Sequence, residues 1–162
     1  MLFRSQESVL IDLVKQLTNA APLILVHNVK ADLAEIEKSN QLNANLYWCL
    51  CVNANQYITG ETPCLDDFNT DMINVVIGTD SLASNHQLSV WEELKTLSRL
   101  NKNIPFERLI EWATWNGAKA LGKQNDLGKI KPGYRPGLVG INNINYNTLS
   151  VGAESSCRRI IV

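Results

Sequence analysis

The chain has 162 residues, 45% of them hydrophobic and 19% charged, with a net charge of −1. That is the size and apolar content of one globular domain able to bury a core, which excludes a disordered chain. Lysine and arginine are scattered along the sequence, without the electrostatic footprint of a nucleic-acid or anionic-membrane binder, and no apolar run approaches the roughly 20 residues that span a bilayer.

Met1 to Ser5 is too short to hold the charged and apolar regions of a signal peptide, so a cytoplasmic protein is expected. Val9, Leu10, Leu13, Val14 and Leu17 recur at helical spacing, predicting an amphipathic helix from Glu7 to Asn19 with Ser5 as its N-cap and Asn19 as its stop. Pro22 ends that pattern. Leu23 to Val26 is then a continuous apolar run of strand length, the pattern of a strand covered on both faces, and it delivers His27 and Asn28 to its tip.

A helix is predicted over Lys30 to Asn40, with Asp32 near its start and Leu33, Ile36 and Ala34 on its inner side. Leu46 to Val52 reads as a second strand, aromatic and apolar, running into a polar tip at Asn53, Ala54 and Asn55. Cys49 and Cys51 share one face of that strand. With Cys64 and Cys157 they are expected to be reduced thiols, because no further ligands at zinc-site spacing accompany them. Thr59 to Pro63 is turn-rich, and Cys64 to Met72 is expected to form a short helix.

Val75, Val76 and Ile77 close a third strand, and Gly78-Thr79 then presents Asp80 at its carboxyl end. Residues just past the tips of parallel strands converge on one face, where α/β proteins place their chemistry. Thr79-Asp80-Ser81 is also good turn chemistry, since an aspartate there can cap the following helix. His27 likewise has two readings, a satisfied core histidine or a site residue. His86 is read as a capping or solvent residue, with substrate contact as the alternative.

Two helices follow. Ser89 to Leu100 places Val90, Trp91, Leu94 and Leu97 inward and leaves Glu92, Glu93, Lys95 and Arg99 in water; Phe106 to Leu121 begins after Pro105 and stops at Gly122. Trp112 and Trp115, three apart, are expected to pack in the core. From Leu127 the chain changes character, with glycine and proline punctuating short strands at Leu138 to Ile141 and Arg158 to Val162, a small β appendage. The expected organisation is a partial (β/α) barrel over 1–126 and β-sandwich strands over 127–162. The fold class is α/β, with right-handed strand-helix-strand crossovers. A closed eight-stranded barrel needs about 250 residues, so three strands make less than half of one.

Three stretches resemble one family. They are Gly78-Thr79-Asp80-Ser81-Leu82-Ala83-Ser84-Asn85, Trp112 to Gly122 with its Ala113-Thr114-Trp115-Asn116-Gly117-Ala118 core, and Leu127-Gly128-Lys129-Ile130-Lys131-Pro132-Gly133. In that order they are similar to the C-terminal half of the metal-dependent amidohydrolases, in the branch of cytosine, guanine and methylthioadenosine/adenosylhomocysteine deaminases and chlorohydrolases. Val52 stands where that family usually has proline, Tyr134 where it has lysine, and Gly137 where it has aspartate.

The resemblance implies that the strands ending at His27, near Asn55 and at Asp80 are the sixth, seventh and eighth of a TIM-type (β/α)8 barrel. It makes Asp80 the metal-binding aspartate that also takes a proton from the attacking water, and His27 the histidine that orients that water or polarises the substrate. Asn55, Ser84 and His86 become candidate substrate contacts. The implied activity is metal-dependent hydrolysis of a C–N bond of a purine, pyrimidine or related heterocycle. The alternative is a non-catalytic half-barrel remnant or interaction module. The implied cofactor is Zn2+, or another divalent ion such as Fe2+. It is expected to be held weakly here, because His27 and His86 are the only histidines and the family's remaining ligands have no counterpart in the chain. A homo-oligomer, or a missing N-terminal half, is the expected protein partner.

Overall fold

The three apolar runs form one parallel sheet in the order β1 (Leu23–Val26), β2 (Leu46–Leu50) and β3 (Asn74–Ile77). Leu23 pairs with Leu46 and Val26 with Cys49 on one side of β2, while Tyr47 pairs with Asn74 and Leu50 with Ile77 on the other. The computed structural model describes residues 8–17 and 22–161. The expected cap Ser5 and stop Asn19 lie outside the described residues.

The central strand is buried along its whole length, as its aromatic and apolar sequence requires. Trp48, Leu50 and Val75 point into the main core with Val52, Phe68, Trp91, Leu94, Leu97, Leu109 and Trp112. Tyr47, Cys49 and Val76 point to the opposite face and pack with Cys51, Ala54 and Ala120. β1 departs from the expectation of cover on both faces: Val26 is 50% exposed and Ile24 is exposed too, because the face of β1 that they share with Tyr47 and Cys49 of β2 is incompletely covered.

The helices are shorter than their periodic patterns. α1 (Val9–Gln16) is capped by Ser8 and buries Ile11 and Val14, while Val9 and Leu13 lie in water. α2 (Leu33–Leu42) begins at a reciprocal cap in which the Asp32 side chain accepts from the Glu35 N–H and Glu35 reaches back to the Asp32 N–H. It buries Ile36 and Ser39, and Leu33 and Ala34 do not face inward. The predicted helix over Cys64 to Met72 is a single 3-10 turn, Leu65–Phe68, which seats Phe68 against Trp48 at a ring separation of 5.8 Å.

A larger departure follows β2. Val52–Thr59 is a helix, α3, so Asn53, Ala54 and Asn55 are helical residues and no strand tip. α3 ends at Gly60 in the left-handed conformation. After β3 comes α4 (Val90–Leu100), capped by Ser89; its Val90 is partly exposed, and its Glu93 is wholly buried, against the expectation that it stays wet.

The last helical stretch is α5 (Phe106–Glu111), one π turn (Trp112–Asn116) and α6 (Gly117–Ala120), continuous in chain but not the uninterrupted α-helix its pattern predicts. Trp112 is core, whereas Trp115 is half-buried with the Lys129 ammonium 3.5 Å from its ring centre. Gly128, in the left-handed conformation, lies so close to this stretch that an added Cβ would stand 2.8 Å from the Ala118 Cβ. The appendage is an antiparallel hairpin of β4 (Leu138–Asn145) and β5 (Ser150–Ile161), longer than its predicted strands; the Trp91 indole N–H donates to the Ser155 carbonyl at 3.2 Å and ties it to α4.

Candidate active site

Parallel pairing puts the carboxyl ends of β1 and β3, which flank β2, at the same end of the sheet, so His27 and Asp80 emerge at that end together. His27 Nε2 lies 3.4 Å from Asp80 Oδ2, and both side chains are about a third exposed, at 38% and 30%. Both residues also hold left-handed backbone, with φ of 59° and 57°. That conformation is costly for a residue with a Cβ and is characteristic of places where side-chain aim matters more than local ease.

The imidazole is set by α3. Asn55, buried in the first turns of that helix, turns its Oδ1 to His27 Nδ1 at 2.8 Å. An amide oxygen accepts, so Nδ1 carries the ring proton and Nε2 presents its other valence to Asp80. Asn55 Nδ2 is buried with no partner among the described residues. A buried amide N–H without an acceptor is a cost that the fold accepts here while the oxygen of the same amide holds the imidazole.

Asp80 is fixed from its own loop. The buried Ser84 hydroxyl donates to Asp80 Oδ2 and lies 3.2 Å from the Ser81 carbonyl. Beneath the loop, Gly78 passes so close to β2 that a Cβ there would stand 2.7 Å from Cys49 Sγ and 3.0 Å from Cys51 Sγ. The two buried thiols are 3.9 Å apart. The hydrogen bond in which Cys51 S–H donates to Cys49, helped by burial, pushes the Cys51 thiol far up, while the same bond lowers Cys49.

His86 does not join this cluster. Its ring meets the exposed Tyr57 ring edge-on at 5.5 Å, and it lines a cleft of about 310 Å³ with Asn53, Gln56, Gln87 and Thr96. A larger cleft of about 430 Å³ runs along Ile130 to Leu138 and touches none of the site residues. The residue that sequence reasoning missed is Glu93. Its Oε2 accepts the Asn53 N–H at 3.0 Å and its Oε1 accepts from Asn85 Nδ2 at 2.9 Å, while burial raises its carboxyl above the usual range. No signal in the sequence marks it, because a residue two after Trp91 and one before Leu94 falls off the face that those side chains turn to the main core.

The sequence profile described as the amidohydrolase family matches residues 7–158. The 5-methylthioadenosine/S-adenosylhomocysteine deaminase of Saccharophagus degradans is 30% identical over 128 residues, covering 75% of this chain and 28% of that protein. The protein of the same name from Clostridium tetani is 34% identical over 107 residues, covering 56% of this chain and 25% of its own length. Among solved structures, a zinc-bound adenosine deaminase from Xanthomonas campestris superposes with a TM-score of 0.63 at 27% identity, over 72% of this chain and 28% of that one. The aminofutalosine deaminase of Helicobacter pylori, in complex with methylthio-coformycin, does so with a TM-score of 0.66 at 26% identity, over 79% and 31%. The chain thus spans about a quarter of the length of the curated relatives it matches. With a profile match over nearly its whole length and these neighbours in structure, the chain belongs to the amidohydrolase family.

Proposed function

We propose that the chain supplies strands six to eight of a (β/α)8 barrel, with residues 1–126 in the barrel and 127–162 contributing β-sandwich strands. In the whole protein it contributes His27 and Asp80 to hydrolytic deamination of a purine or related heterocycle. The observation that carries this reading is the meeting of His27, Asn55 and Asp80 beyond the ends of parallel strands. The deaminase names of its relatives and a neighbour's complex with methylthio-coformycin support a purine-nucleoside type of substrate over the pyrimidines and triazines.

Hydrolysis of an amino-substituted ring carbon adds water and releases ammonia, so one proton must leave the water and another must reach the departing nitrogen. Asn55 holds the imidazole so that Nε2 can accept and return a proton, and Asp80, 3.4 Å away, is the adjacent base. Ser84 steadies the carboxylate, and Asn55 acts on the substrate through the imidazole that it orients.

Zinc chemistry requires more donors than this chain brings together. Among the described residues no three His, Cys, Asp or Glu side chains converge on a metal position. A catalytic zinc takes three protein ligands. Asp80 is therefore assigned as one ligand for Zn2+, or Fe2+ in its place, held weakly by this chain alone. The test is ammonia release from adenosine-type substrates by the full-length parent. Asp80→Asn and His27→Asn are expected to lower the rate about 100- to 10,000-fold each, and unchanged release in both variants would sink the assignment.

A second reading is favoured by the donor set, incomplete among the described residues, and by β1 at the edge of the sheet, whose Ile24 and Val26 lie exposed on one face. It is a non-catalytic half-barrel that captures a partner or a second copy of itself through that edge. The isolated chain is expected to bind zinc weakly, release no ammonia and self-associate. Stoichiometric zinc in an active monomer, read by elemental analysis and light scattering, would overturn both the weak-metal assignment and this second reading.

A further inference from the structure

Glu93 is a wholly buried carboxylate, and among the described residues no lysine, arginine or histidine pairs with it. Removing a charge from water without a counter-ion is among the most costly things a fold can do, and an apolar residue of similar volume is ordinarily the better occupant. What the carboxylate does that no apolar group could is accept from two directions at once.

One oxygen receives the Asn53 N–H, in the first turn of α3. The N-cap of that helix, Cys51, makes no side-chain capping bond, so Glu93 satisfies a donor that the local sequence leaves open. The other oxygen receives Asn85 Nδ2, and the same nitrogen donates to the Thr79 carbonyl at 2.8 Å, the residue before Asp80. One side chain on α4 thereby touches both the helix that presents Asn55 to His27 and the loop that presents Asp80.

We propose that Glu93 is the positioning residue that holds these two halves of the site in register, a role that rests on the assignment of His27 and Asp80 given above. The chemistry explains why the residue is a glutamate. Glutamine has one acceptor oxygen, and if it keeps the Asn53 N–H its own NH2 faces the NH2 of Asn85. Turning the Asn85 amide over would relieve that clash only by placing its oxygen against the Thr79 carbonyl. Aspartate is one methylene shorter and cannot reach both donors from the same backbone position.

The test is nuclear magnetic resonance of the metal-free 162-residue chain, reading the ring nitrogens of His27 and the backbone amides of Thr79 and Asp80. Glu93→Gln is expected to shift the Thr79 and Asp80 amides and to exchange-broaden or remove the hydrogen-bonded Nδ1 proton of His27. Thr96→Val, which removes the neighbouring 2.8 Å bond from Thr96 Oγ1 to Asn53 Oδ1 without touching Glu93, is expected to leave both sets of signals in place. Wild-type signals in a folded Glu93→Gln chain overturn the proposal, and so does an equal response from Thr96→Val.

If Glu93→Gln does not fold, Asn85→Ala cuts the loop connection alone. It is then expected to move the Thr79 and Asp80 amides while His27 Nδ1–H stays on Asn55, and no movement of those amides overturns the proposal. None of these readings requires metal or turnover, so loss of the deaminase assignment through the ammonia assay is separable from loss of this one.

Discussion

The covered face of the parallel sheet and the carboxyl ends of its strands differ in what they finish. On one, Trp48, Leu50 and Val75 meet the helices in a continuous apolar core whose large side chains are fully buried. At the strand ends, by contrast, the polar groups are partly exposed, two residues hold left-handed backbone, and the Asn55 amide nitrogen lacks a partner. Apolar residues stand exposed around them at Val26, Ile58 and Leu82. Stability and the candidate site are separated in space: the covered face holds the sheet together, and the tips carry conformations that would be a liability in the core.

The largest expected effect breaks the covered face. Trp48→Ala should cost about 3–5 kcal/mol by urea denaturation, the range for removing a buried large aromatic. Trp48→Phe sharpens the point. The indole N–H is buried with no acceptor among the described residues, so removing it deletes an unpaired donor along with some packing, and the loss should be well under half that of alanine. Equal midpoints for the two variants would contradict the account of this core.

Gly78→Ala tests the seam between the faces. Its new Cβ would press on Cys49 and Cys51, an overpacking expected to cost about 1–3 kcal/mol. Combining it with Cys49→Ala should recover part of the loss, giving a non-additive double-mutant cycle. Strict additivity in the denaturation midpoints would place the strain elsewhere.

The smallest effect is a pH dependence from Glu93. Burial raises its carboxyl in the folded chain, so the folded state keeps a proton that the unfolded state has already released. Stability contributed by this group is therefore greatest below the unfolded value and falls as pH rises from that value through the raised folded one. The slope is at most about 1.4 kcal/mol per pH unit. Thermal melts across that window should show the slope in the wild type and lack it in Glu93→Gln, provided that variant folds.

The sheet was legible because runs such as Leu23 to Val26 and Val75 to Ile77 are too apolar and too short for anything but buried strands between turns. Parallel pairing then makes the convergence of His27 and Asp80 a matter of geometry. α3 was not legible. Val52 to Thr59 follows the strand without a turn residue, its first residue is β-branched, and the group that satisfies the Asn53 N–H lies 40 residues downstream. Glu93 was misread for the matching reason: helical periodicity locates the face toward the main core but is silent about a second neighbour, and α3 is that neighbour. The exposure of Val26 escaped the sequence because a continuous apolar run looks the same in an edge strand as in a central one.

The π turn has a consequence for the free side of β3. The Gly78 N–H bonds the Leu50 carbonyl, so alternate residues of β3 face β2 and the Val75 carbonyl faces outward, where Asn116 Nδ2 meets it at 2.9 Å. An unoccupied strand edge is a template on which another molecule's strand can add. One extra residue in a helical turn rotates everything after it by roughly 100°, and Asn116 is the residue that closes this turn. The irregular turn thus already occupies one carbonyl on the side of β3 away from β2, and a further strand laid along that side would have to pair around Asn116 or displace it.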